Sequence, residues 1–143
     1  MKEPKHYIVV DDDKTNNLIC EFTIKSFNSQ AVINLFLEPE EALMFIKEDY
    51  SKEAVDFPTI LFLDVNMPVM SGWEFLDIFQ EFKEHIKNQF QIFILTSSIE
   101  DFSNEAKLYP FVSGFLSKPL KKDKLKELVE GLTEVNKTKS RSY

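Results

Sequence analysis

Cysteine is nearly missing from this 143-residue chain: Cys20 stands alone, so no internal disulfide can form. Its apolar neighbours mark it as a buried, inert thiol, and the lack of disulfides fits a reducing compartment. Glycine is scarce as well, with three widely separated positions. That removes the glycine-rich phosphate cradle a flavin or nucleotide binder sets after its first strand. His6 and His85 have no second His or Cys at ligand spacing, so neither is assigned a role. No apolar run approaches the roughly 18 residues of a membrane helix, and the run inside MKEPKHYIVV is too short for a signal sequence. Positive charge is in deficit: the formal net charge is -7 and the lysines are scattered rather than gathered in a stripe. Such a surface disfavours nucleic acid and favours cations. The absences together describe a cytoplasmic protein with no nucleic-acid or membrane partner.

Hydrophobic residues supply 43% of the chain and charged residues 29%, the balance of an ordinary globular protein. A chain this long can bury roughly 68% of its unfolded surface, enough for one domain with a real core. Fourteen Phe against a single Trp predict a core filled largely with phenyl rings.

Short apolar runs recur at Tyr7 to Val10, Ala31 to Phe36, Thr59 to Leu63, Phe90 to Leu95, and Phe115 with Leu116. Most lack strict alternation, the mark of strands covered on both faces in a parallel sheet. Helical spacing links Phe75, Ile78, Phe79, Phe82 and Ile86, and again Leu125, Leu128, Val129 and Leu132. Leu18, Ile19 and Phe22 predict the inward face of a first helix, and Ala42, Leu43 and Ile46 that of a second opened by Pro39. Ile99, Phe102, Ala106 and Tyr109 line a further short helix, stopped by Pro110. Gly131, inside the last helix, has no evident role. Strands alternating with helices predict an α/β fold, an open five-stranded parallel sheet with helices on both faces and right-handed crossovers. The polar NKTKSRSY, residues 136–143, is expected to fray as a tail behind a single domain of residues 1–135.

In such sheets ligands gather beyond the carboxyl ends of the strands. There this chain places Asp11, Asp12 and Asp13; then Asp64 and Asn66 within LFLDVNMPVMSG; then Thr96, Ser97 and Ser98; and finally Ser117, Lys118 and Pro119. Two carboxylates 4 Å apart repel by roughly 4 kcal/mol at an effective dielectric of 20. A hard divalent ion relieves that repulsion, since Mg²⁺ takes oxygen ligands and typically uses one or two carboxylates. Asp64, at its own strand tip, is then a candidate nucleophile for phosphoryl transfer, Lys118 a cation for phosphoryl oxygens, and Thr96 a hydroxyl donor to one of them. Each feature alone has a plainer reading: a solvated acidic loop, a turn aspartate, a β-forming threonine, a surface lysine. Their joint placement after buried strands favours the chemical reading. Asp13 is read as a cap or first-turn residue of the first helix, and Trp73 as a packing residue just past Gly72.

The motifs YIVVDDD, LFLDVNMPVMSGWEFL, IFILTSS and VSGFLSKPL, in that order, resemble the receiver domain of two-component response regulators over nearly the whole chain. The resemblance implies a flavodoxin-like (βα)₅ fold with strand order 2-1-3-4-5. It implies Asp64 as phosphoacceptor, and Mg²⁺ held by Asp11, Asp12, Asp64 and the backbone carbonyl of Asn66. Thr96 would be the switch hydroxyl, Phe115 the switch aromatic and Lys118 the phosphate-sensing lysine, with a cis Lys118-Pro119 bond. Phe115 stands where Tyr is also common, so any part of the switch that uses a hydroxyl is lost. Asn66 and Ser98 would flank the path of the water that removes the phosphoryl group. The implied function is a stand-alone, single-domain signalling switch rather than a classical enzyme. A sensor histidine kinase or histidine phosphotransfer protein would be the donor, and an unidentified protein would bind the face around Tyr109, Phe115, Lys121, Lys122 and Lys124. One alternative is a receiver-like docking module that works without phosphorylation. A haloacid-dehalogenase-type phosphatase is disfavoured, because its second catalytic Asp would fall at Asn66.

Overall fold

The computed structural model describes residues 4–52, 57–97 and 102–141, with side chains described as far as residue 133. The chain runs β1 (His6–Val10), α1 (Lys14–Phe27), β2 (Val32–Phe36), α2 (Pro39–Asp49), β3 (Thr59–Leu63), α3 (Gly72–Phe79), α4 (Glu84–Lys87), β4 (Phe90–Thr96), α5 (Ser103–Leu108), β5 (Val112–Ser117) and α6 (Lys122–Arg141). All strand pairs are parallel, and the sheet order is β2-β1-β3-β4-β5.

Period-two alternation sorts the central strands onto two cores. Ile8, Val10, Leu61, Leu63, Ile92 and Ile94 face α2, α3 and α4, where they meet Ala42, Leu43, Ile46, Phe75, Leu76, Phe79 and Ile86. The residues between them, Tyr7, Val9, Ile60, Phe62, Phe93 and Leu95, face α1 and α6 and pack with Cys20, Ile24, Leu125 and Val129. Both parities are apolar because both faces are covered, which is why the sequence shows runs instead of alternation. β5 is the exception: its burial alternates along Val112–Ser117, as befits an edge strand. It is also longer than the Phe115-Leu116 pair expected.

Three expectations are corrected. Leu18, Ile19 and Phe22 do not face inward; they are exposed by 53%, 39% and 77%. α1 instead buries Asn16, Asn17, Cys20, Thr23 and Ile24. Polar contacts set this rotation. The Asn16 and Asn17 amides donate into the end of β1, and the Thr23 hydroxyl donates to the Leu120 carbonyl at 3.1 Å. Turning the helix to bury Phe22 would strip those bonds.

The stripe from Phe75 to Ile86 is likewise not one helix. α3 ends at Phe79 and α4 begins at Glu84, joined by tight turns in which Glu81 N–H donates to Ile78 O and Phe82 N–H to Phe79 O. The Lys87 ammonium covers the free carbonyl of Gln80 at 2.9 Å, a C-terminal cap brought by the following helix. The break leaves Ile78 exposed by 41% while Ile86 still reaches the core.

Last, Phe102 and Tyr109 do not line the short helix but flank it as its N-cap and C-cap: α5 runs Ser103–Leu108 and buries none of its own residues, and Ile99 lies outside the described residues. Beyond residue 135 the backbone of α6 is helical through Arg141. No proline or glycine interrupts that stretch, and its Lys and Arg suit a helix C-terminus.

Candidate functional site

Strand pairing brings the tips together. Asp11 N–H donates to Phe36 O and Asp64 N–H to Val10 O, each at 3.0 Å, so both aspartates ride on the last rungs of the sheet. Thr96 ends β4 beside Ser117 of β5, and Lys118 N–H donates to Thr96 O at 2.9 Å. The Lys118-Pro119 bond is cis. Asp11, Asp64 and Thr96 are buried, while Asp12 and Asn66 are exposed.

The Lys118 ammonium lies 2.6 Å from Asp11 Oδ2 and 3.2 Å from Asp64 Oδ2, between the two carboxylates. Each acid is held on its other side by the chain. Asp11 Oδ1 accepts from Asp13 N–H at 2.9 Å, and Asp11 Oδ2 accepts from Asn16 Nδ2 at 2.7 Å. Asp64 Oδ1 accepts from Asn66 N–H at 3.2 Å. Asp13 caps α1 by accepting from Thr15 and Asn16 N–H, as expected of it.

Electrostatics follow from crowding. Burial first, then the Asp11 charge, raises Asp64 above the ordinary carboxylate value, and partial desolvation followed by the same Asp11 charge raises the exposed Asp12. Burial pulls Lys118 down, but Asp11 and Asp64 outweigh it and the ammonium ends above its usual value. Burial, with the Asp11 charge adding, pushes the Cys20 thiol up to about 12, which makes it inert.

One lysine does not neutralise three carboxylates. Asp11, Asp12 and Asp64 each present an oxygen, and these atoms lie within 4.8 Å of one another. An all-oxygen donor set of this charge and span fits a hard divalent cation such as Mg²⁺.

The loop after Asp64 is anchored by Gly72, the one position where side-chain absence is obligatory. A Cβ there would fall 2.5 Å from the Asp64 carbonyl oxygen and 2.7 Å from Val65 Cα. Gly72 N–H donates to Val65 O, and a capping box between Ser71 and Glu74 starts α3 directly behind it. The phosphoacceptor candidate is thus fixed to the first turn of α3.

A sequence model described as response regulator receiver domain matches residues 7–130. The chain belongs to that family. Such domains are signalling switches of two-component systems rather than classical enzymes, and the five-stranded parallel sheet is their flavodoxin-like fold. A two-component response regulator from Cytophaga hutchinsonii shares 25% identity at a TM-score of 0.80, covering 93% of this chain and 99% of its own. A receiver protein from Dyadobacter fermentans shares 23% at 0.75, covering 90% of this chain and 97% of its own. The Vibrio cholerae chemotaxis protein CheY4 shares 22% at 0.70, covering 90% and 98%. No curated protein matches the chain.

The receiver fold gathers Asp11, Asp12, Asp64 and Lys118 into one cluster, with Thr96 tied to the Lys118 backbone at its edge. Phe115 stands apart on β5, exposed by 38% and stacked on Phe102. Ser98 lies outside the described residues. Sequence reasoning missed Asn16 and Asn17, whose amides secure the Asp11 carboxylate and carbonyl. Their signal was two amides one helical turn past the acidic run, hidden because Leu18 and Ile19 drew the inward face elsewhere.

Proposed function

We propose that this receiver accepts a phosphoryl group on Asp64 from the phosphohistidine of a sensor kinase or phosphotransfer protein. A receiver unit over residues 1–135, working in the cytoplasm, would carry the reaction. A carboxylate oxygen of Asp64 attacks phosphorus, the P–N bond breaks, and the imidazole nitrogen keeps the electron pair and is protonated as it leaves. Asp11, Asp12, Asp64 and the Asn66 carbonyl would hold Mg²⁺. That ion, when bound, offsets negative charge on the carboxylates and on the phosphoryl oxygens. Asn16 and Asp13 N–H keep Asp11 turned toward the cluster, and Lys118 supplies a positive charge that can pass from the carboxylates to the new phosphoryl group. Thr96 donates its hydroxyl to the same group, and Phe115 follows it inward. The changed face of α5, β5 and α6, with Tyr109, Phe115, Lys121, Lys122 and Lys124, then binds a downstream protein.

The observation that carries this reading is Lys118 set between two buried, strand-tip carboxylates, with a third acid within 4.8 Å. Acetyl phosphate, which needs no protein donor, provides the test. Intact-mass spectrometry in the presence of Mg²⁺ is expected to show one phosphoryl adduct on the wild type and none on Asp64→Asn. No adduct on the wild type, or an adduct that persists in the variant, rejects the assignment.

A further inference from the structure

α5 contributes no buried residue to either core, and Phe102 at its N-cap offers no side-chain hydrogen bond to the first turn. A helix this short has little intrinsic stability. The residues at its two ends both pack on one ring. The Phe102 ring centroid lies 5.6 Å from that of Trp73, and the Tyr109 ring stacks on Trp73 at 5.5 Å with 18° between planes. The Tyr109 hydroxyl also donates to Asp77 Oδ1 at 2.7 Å, one turn along α3 from Trp73.

Trp73 in turn is fixed to the phosphoacceptor loop. It follows Gly72, which is pressed against the backbone of Asp64 and Val65. On the other side, Phe102 stacks face to face on Phe115 at 5.5 Å and 15°. An unbroken file of rings therefore runs from Trp73, next to the Asp64 loop, through Phe102 to Phe115 on the edge strand. Aromatic pairs of this kind contribute about 0.5–1.5 kcal/mol each beyond their buried area, enough to bias a two-position element.

We propose that Trp73 is the seat of a latch: Phe102 and Tyr109 clamp α5 onto α3, keep Phe115 stacked outward against Phe102, and so oppose the loading of Asp64. The inference rests on the phosphoacceptor reading of Asp64 and adds to it the device that sets the resting bias. Phe115 cannot turn inward without leaving Phe102, and Phe102 cannot follow it without leaving Trp73. Burial and the Asp77 contact push the Tyr109 hydroxyl up to about 12, so the pin stays protonated under ordinary conditions.

By linkage, whatever the clamp costs a phosphoryl group in affinity is regained when the clamp is weakened. Tyr109→Phe keeps the ring and deletes the pin; Phe102→Leu keeps apolar bulk and deletes the stack. Beryllofluoride with Mg²⁺ serves as phosphoryl mimic, followed by emission of Trp73, the only tryptophan. Both variants are expected to bind it more tightly by about 5-fold or more, the lower end of common coupling effects, and to exchange the amides of residues 103–108 faster. Faster exchange without tighter binding in either variant overturns the latch and reduces the rings to packing. So does unchanged affinity with unchanged exchange. In both cases acetyl phosphate labelling of Asp64 in the wild type leaves the phosphoacceptor reading standing. A wild type that neither labels nor binds beryllofluoride removes both.

Discussion

On the β1–β3 side of Asp64, every residue from Tyr7 to Asp11 and from Thr59 to Val65 is buried, whereas on the far side β5 buries alternate residues only partly and α5 buries none. The first region is pinned by ladder bonds, by the Asp13 cap and by the Asn16 and Asn17 amides. The second keeps the β4–β5 ladder and the Ser113 hydrogen bond to Gln91, and its helix is joined to α3 by ring contacts and a tyrosine hydroxyl. The acid oxygens must hold a fixed geometry, so they stand where local opening costs most. Groups that the proposed switch would move stand where it costs less. Under the proposed function, the acids that hold the phosphoryl group stand in the first region and the switch aromatic in the second, with Lys118 reaching from the end of β5 to both acids.

The largest effect expected tests that contrast directly. Phe62 is fully buried in β3, and Phe62→Ala should cost about 3–5 kcal/mol in a urea titration. Phe115→Ala, on the edge strand, should cost about 1 kcal/mol, an ordinary single-residue effect. Equal losses would mean that β5 is as firmly built as β3, and the division into rigid and yielding halves would fail.

A smaller effect sharpens the electrostatic side of the comparison. Asp64 has its folded pKa raised above the ordinary 3.8 by burial and then by Asp11. An acid shifted this way binds more protons folded than unfolded. It therefore takes away stability as pH rises from about 3.8 through the folded value, and the whole loss is present above that window. Asp64→Asn should remove the decline and raise metal-free stability at pH 7 by about 1 kcal/mol, the order of a single-residue effect. Saturating Mg²⁺ should narrow the gap, because the variant has lost one carboxylate ligand and gains less from the ion than the wild type. Thermal melts at several pH values, with and without Mg²⁺, decide the matter. A variant less stable than the wild type in metal-free buffer would show that the Lys118 pair outweighs the repulsion.

The same contrast explains what the sequence could be made to tell. Tyr7 to Val10, Thr59 to Leu63 and Phe90 to Leu95 were legible as buried strands because burial on both faces demands unbroken apolar runs. Asp11 and Asp64 were legible because each directly follows such a strand, and Lys118 because it stands two residues past Gly114-Phe115-Leu116, and strand ends share one rim. Asp13 as a cap and the split between strands and helices followed from local chemistry. What stayed hidden depends on contacts distant in the chain. Thr23 reaches Leu120, 97 residues away, and helps fix the rotation of α1. Lys87 covers Gln80 O where the apolar stripe gave no hint of a break. Trp73 was read as packing, but its partners Phe102 and Tyr109 arrive from across a whole strand.

The smallest effect expected belongs to α1, where apolar character and burial disagree most. Hydropathy places Phe22 on the inward face; the structure leaves it 77% exposed while Thr23 and Ile24 turn inward. Phe22→Ser exchanges an exposed ring for a hydroxyl, removes little buried area and breaks no hydrogen bond that orients the helix. Its stability in urea should stay within about 0.5 kcal/mol of the wild type. A loss of about 2 kcal/mol or more would be the size expected of a core residue. In that case α1 would be rotated from the position described, Asn16 would no longer reach Asp11, and the rigid half of the site would lose one of its two clamps on that carboxylate.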